Sequence, residues 1–119
     1  MKQFPIKYTI LKNGTRENVE GFYLEQFPGL AIRRDEKLFH VEHVPSGYFV
    51  WAYGKKADAL SFVNDVGSLL EWEVDLETLK QTFLENMEHL RYVNYRLCGF
   101  AYSRPEPLER KARGQAMLF

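Results

Sequence analysis

Histidine, carboxylate and cysteine side chains are what this sequence offers for chemistry, and their spacing decides what they can do together. His40 and His43 lie three residues apart in the run Leu38-Phe-His-Val-Glu-His-Val44, whose aromatic and β-branched residues predict a strand. Side chains alternate along a strand, so the odd spacing puts the two rings on opposite faces and denies them a shared metal. Glu42 shares a face with His40, a pairing better read as a cross-strand hydrogen bond or a solvated pair than as an acid–base dyad. Glu85, Glu88 and His89 hold fragments of a helical metal motif, but Glu-Asn-Met-Glu-His lacks the second histidine that a zinc helix needs. Cys98 falls near the expected end of a helix, where the negative end of the dipole disfavours a thiolate, so it is read as packing. No Gly-x-Gly-x-x-Gly, phosphate-binding loop or Gly-x-Ser-x-Gly occurs. The expectation is a protein without catalytic residues, metal or cofactor.

Binding chemistry has more to work with. In Arg91-Tyr-Val-Asn-Tyr-Arg96, Arg91 and Tyr95 stand one helical turn apart, as do Tyr92 and Arg96. Together they could stack bases and hold phosphates. Arginine and tyrosine also cover the rims of ordinary cores. The 16 Lys and Arg balance the 16 Asp and Glu, so no long-range field draws nucleic acid or an anionic membrane to the molecule. The structural role is therefore favoured for these four residues.

The elements that must position these groups can be read from periodicity. Residues 4–11 predict a first strand, closed by the turn signal Asn13-Gly14. Phe22, Leu24, Leu30 and Ile32 flank Phe27-Pro28-Gly29 and predict two more strands meeting at a turn. Residues 38–44 and 48–53, separated by Pro45-Ser46-Gly47, predict a hairpin with bulky apolar groups on both faces, as central strands have. The period then changes: Leu60, Val63, Val66 and Leu70 define a helix over residues 56–70. A second helix starts after Asp75, a candidate N-cap, with Leu76, Leu79, Phe83, Met87, Leu90 and Leu97 on its apolar stripe and a stop near Gly99. The expected core comprises Phe39, Val41, Val50, Trp51, Leu60, Val63, Phe83 and Leu90.

With 119 residues, 45% of them hydrophobic and 15% aromatic, the chain suffices for one core and not two. The fold expected is α+β: an antiparallel sheet of four or five strands with two helices on one face, over residues 1–102. No basic segment followed by a long apolar run opens the sequence, and no run approaches the roughly 18 apolar residues of a membrane span. A cytoplasmic protein is expected, and the single cysteine agrees with a reducing compartment.

Residues 103–119 differ in composition. Ser-Arg-Pro-Glu-Pro-Leu-Glu-Arg-Lys-Ala-Arg-Gly has two prolines and alternating charges, which predicts a flexible tail. The apolar end Met117-Leu118-Phe119 then invites a partner. The pentapeptide Gln115-Ala116-Met117-Leu118-Phe119 resembles the bacterial sliding-clamp-binding motif, commonly Gln-Leu-(Ser/Asp)-Leu-Phe, used by polymerases, clamp-loader subunits and repair and replication proteins. The resemblance implies that Gln115 hydrogen-bonds at the mouth of the clamp pocket, Leu118 and Phe119 fill its floor, and Met117 packs nearby. Ala116 departs from the usual leucine. Pro28-Gly-Leu-Ala-Ile, His43-Val-Pro-Ser-Gly and Lys55-Lys-Ala-Asp-Ala-Leu together look like small uncharacterised phage and plasmid proteins. The expected function is non-enzymatic docking on the clamp in replication, repair or their modulation by a mobile element. The alternatives are a nucleic-acid-binding module built on Arg91, Tyr92, Tyr95 and Arg96, or an anti-defence inhibitor acting through the folded domain.

Overall fold

A computed structural model of the chain describes residues 2–86, 88, 115, 116 and 118. Five strands form one antiparallel sheet in sequential order: β1 (Gln3–Lys12), β2 (Thr15–Leu24), β3 (Leu30–Asp35), β4 (Leu38–His43) and β5 (Tyr48–Tyr53). Helices α1 (Lys56–Gly67) and α2 (Leu76–Glu85) follow. This is the α+β class read from the sequence. The β1–β2 hairpin turns on Asn13 and Gly14, both at positive φ (51° and 77°), the backbone a two-residue hairpin loop requires. Ten residue pairs run from Gln3↔Leu24 to Lys12↔Thr15. β2 thus starts well before the apolar Phe22 and Leu24, because pairing with β1 organises the polar stretch Thr15-Arg-Glu-Asn-Val-Glu.

The sheet is strongly curled. A Cβ on Gly21 would lie 2.4 Å from the Ile32 carbonyl oxygen, so only glycine lets β2 cross this close to β3. Gly47, at φ 73°, comes equally near β1: a Cβ there would lie 2.4 Å from the Thr9 carbonyl oxygen. The Leu11 N–H donates to the Gly47 carbonyl (3.2 Å) and Arg16 Nη1 to the Ser46 carbonyl (2.6 Å). These contacts bring the first strand round to the β4–β5 turn, leaving a seam between β1 and β5.

The outer face packs on the helices. Leu24, Leu30, Ile32, Val41, Val50 and Tyr53 form one buried cluster with Ala59, Phe62, Val63 and Val66 of α1, Leu70, Trp72, and Leu79 of α2. Val41, Val50 and Val63 of the expected core are buried, while Phe39, Trp51 and Leu60 pack on it half-buried. Leu90 and the Phe83 side chain lie outside the described residues. Asp75 is the N-cap expected, its Oδ1 accepting from the Thr78 N–H (2.8 Å). Gly67 lets Phe27 approach α1, since a Cβ would lie 2.6 Å from the ring. The Trp72 indole N–H donates to the Val66 carbonyl (3.0 Å), satisfying a group that a helix end leaves without an intrahelical partner. Among the described residues no helix is long and apolar enough to cross a membrane.

Candidate functional site

The inner, concave face carries the polar chemistry. Register places Ala31 opposite Glu42 and Arg33 opposite His40 on β3 and β4, and the curl swings Tyr8 of β1 over them. Glu42 is fully buried and its carboxylate is surrounded by donors: Tyr8 Oη (2.5 Å) and Arg33 Nε (2.7 Å) on Oε1, and the Gln115 side-chain amide (2.5 Å) on Oε2. A buried charge is tolerable when it is paired and its remaining lone pairs are satisfied, and Glu42 meets both conditions. Its charge raises the Arg33 pKa further, against the effect of burial. Burial first, then the negative neighbour, pushes the Tyr8 phenol well above its ordinary range, so this hydroxyl donates and stays protonated.

His40 shares that face, as its spacing to Glu42 predicts. Its Nδ1 stands 4.0 Å from Glu42 Oε2 and its Nε2 3.9 Å from Asp35 Oδ2, both beyond hydrogen-bond range. The ring packs edge-on against Phe49. Burial holds its pKa below the usual histidine value, against the pull of the Glu42 charge. Neutral, buried and beyond bonding distance of the carboxylate, it forms no acid–base dyad with Glu42.

His43 points the other way, into the helix side. Its Nε2 lies 2.8 Å from the Trp72 carbonyl and its Nδ1 2.6 Å from Ser46 Oγ. The carbonyl can only accept, so Nε2 carries the proton and Nδ1 accepts from the serine hydroxyl. Burial lowers the His43 pKa and keeps this neutral form. Ser46, His43 and a carbonyl follow the order of a nucleophile, base and orienter, but Ser46 and His43 are both buried. Ser46 Oγ also accepts from the Tyr48 N–H (3.2 Å). The trio is a clasp tying the β4–β5 turn to the segment between the helices. Among the described residues no group of three His, Cys, Asp or Glu side chains could hold a metal.

Of the expected tail, residues 115, 116 and 118 are among those described. Gln115, Ala116 and Leu118 lie in the seam between β1 and β5. Gln115 pairs with Lys12, and the Ala116 N–H donates to the Leu11 carbonyl (2.8 Å). On the other side the Phe49 N–H donates to the Ala116 carbonyl (2.7 Å), and the Leu118 N–H to the Phe49 carbonyl (2.9 Å). Through these bonds Gln115, Ala116 and Leu118 serve as a closing strand between the two edges. Gln115 is 5% exposed: its amide NH2 meets Glu42 Oε2 and the Gly47 carbonyl (3.2 Å), while its Oε1 accepts from Arg33 Nη2 (3.4 Å). Leu118, 8% exposed, belongs to the helix-side core. Apolar character here has a structural use that composition alone did not reveal.

Met117 and Phe119 of the pentapeptide, the possible nucleic-acid residues Arg91, Tyr92, Tyr95 and Arg96, and His89 and Cys98 lie outside the described residues. Glu85 and Glu88 are exposed, as expected of a solvated helix face. The sequence reading did not reach the Tyr8–Arg33–Glu42 cluster or the Ser46 clasp, because each joins residues through strand register. Comparison with protein-family models, curated proteins and solved structures finds no match.

Proposed function

We propose that this is a non-enzymatic binding protein whose docking element is its C-terminal peptide and whose partner is the bacterial sliding clamp, in the bacterial cytoplasm. The observation that carries the reading is the pattern Gln115-Ala116-Met117-Leu118-Phe119: an amide side chain followed, three and four residues on, by two large apolar ones. That order suits a pocket with a polar mouth and an apolar floor. Support comes from the pattern and no longer from exposure, since Gln115 and Leu118 are buried in their own fold. Docking therefore requires the closing strand to leave its seam.

Burying Leu118 and Phe119 in a partner would yield about 1.5–3 kcal/mol each before ordering costs, which sets micromolar affinity for the isolated peptide. Calorimetry of purified clamp with the peptide of residues 111–119 and with the whole protein tests the reading. Phe119→Ala in the peptide should weaken binding more than tenfold. Absence of heat with both ligands at high micromolar concentration, or equal affinity of Phe119→Ala, would refute it.

A further inference from the structure

The β1–β5 seam has the features of a recognition site in its own right. Its backbone contributes the Leu11 carbonyl, the Phe49 N–H and the Phe49 carbonyl, the pattern by which an added strand is bound. Its side chains read one residue in detail. A carboxylate (Glu42) and a carbonyl (Gly47) accept from an amide NH2, and a guanidinium (Arg33) donates to the amide oxygen. Glutamine satisfies all three. Glutamate would set a second carboxylate against the buried Glu42, and an apolar residue would leave Glu42 Oε2 without its donor, which is costly in a buried setting. Three residues on, the odd spacing turns the next anchor to the opposite face, where Leu118 enters the helix-side core.

We infer that the seam is a peptide-binding site for an extended Gln-x-x-Leu segment, occupied by this chain's own C-terminal peptide and competing with any partner for Gln115 and Leu118. The occupant is fixed by observation: Gln115, Ala116 and Leu118 are seated there. The competition rests on the clamp reading, whereas the site does not. Both anchors the docking pattern would use are already engaged, so the protein is closed to its partner until the strand opens.

Three measurements on the full-length chain test this. Amide exchange should show Ala116 and Leu118, bonded to Leu11 and Phe49, opening at least tenfold faster than the β3–β4 amides, with Gln115→Ala accelerating them at least tenfold more. Exchange at the β3–β4 rate would make the strand inseparable from the fold and overturn the proposal, whether or not a variant folds. Second, a fluorescent peptide of residues 113–119 should bind in trans to Gln115→Glu or Leu118→Asp protein, whose own strand is displaced, and at least tenfold more weakly to wild type. The same peptide carrying Gln115→Glu should not bind. Lack of binding to either folded variant would overturn the recognition site. Third, the isolated peptide should bind clamp at least tenfold more tightly than the intact protein does. Equal affinities would refute the competition and leave the clamp reading standing; failure of both to bind clamp would refute the clamp reading and leave the seam standing.

Discussion

Leu118→Ala separates a closing strand from a free tail more sharply than any other change. Three carbon atoms leave a site that is 8% exposed and belongs to the main cluster. At about 0.8 kcal/mol per buried methylene the transfer loss is about 2.4 kcal/mol, and a residual cavity would add to it. The expected cost is therefore about 2.5–3 kcal/mol. A chain of this length has an unfolding entropy on the order of 0.25 kcal/mol/K, so the midpoint should fall by roughly 10 °C. Urea denaturation should show a lower midpoint at unchanged slope, meaning that stability has changed and not the surface exposed on unfolding. Leu69→Ala is the control, since Leu69 is 37% exposed and a surface change of this kind stays within about 0.5 kcal/mol. If Leu118→Ala behaves like Leu69→Ala, the segment is not packed in solution and the β1–β5 seam is open.

Removing one partner from the buried cluster should be severe. Glu42→Ala removes the carboxylate that Tyr8 and Arg33 donate to, leaving Arg33 the more distant Asp35 at 3.7 Å, and should cost about 3–5 kcal/mol in denaturant unfolding; a loss under about 1 kcal/mol would mean that water or Asp35 replaces the carboxylate. Gly47→Ala should lower the thermal midpoint markedly, because the residue sits at φ 73° and its Cβ would lie 2.7 Å from the Ile10 Cα; an unchanged midpoint would show that the turn can move off β1. Stability should also fall on acidification through the histidine range. Burial lowers the folded pKa of His40 and His43, so the unfolded chain takes up protons that the folded one refuses. Their contribution is complete above about pH 6.5 and is lost as pH drops towards the folded values, at up to about 1.4 kcal/mol per pH unit for each. A flat profile between pH 7.5 and 5.5 would show that these rings protonate in place.

What the sequence makes legible here is local chemistry. Asn13-Gly14, the Asp75 cap and the change of period after Gly54 depend on neighbours within a few residues, and each appears where it is read. The opposite facing of His40 and His43 is equally local, following from alternation alone. Glu42 is different. Its worth as an anchor depends on Tyr8, 34 residues away, and on Gln115, 73 residues away, and no pattern along the chain states which strands will meet. The C-terminal peptide shows the deeper difficulty. A closing strand set between a polar interior and an apolar core needs one residue that can satisfy a buried carboxylate and, at odd spacing, one that can fill the other side. A peptide built for a pocket with a polar mouth and an apolar floor needs the same two residues in the same order. Gln115 and Leu118 meet both specifications, so composition cannot tell them apart. The two uses differ in one physical respect: the strand spends its backbone bonds on Leu11 and Phe49 of its own sheet. How often those bonds open decides how far the same peptide can serve a partner.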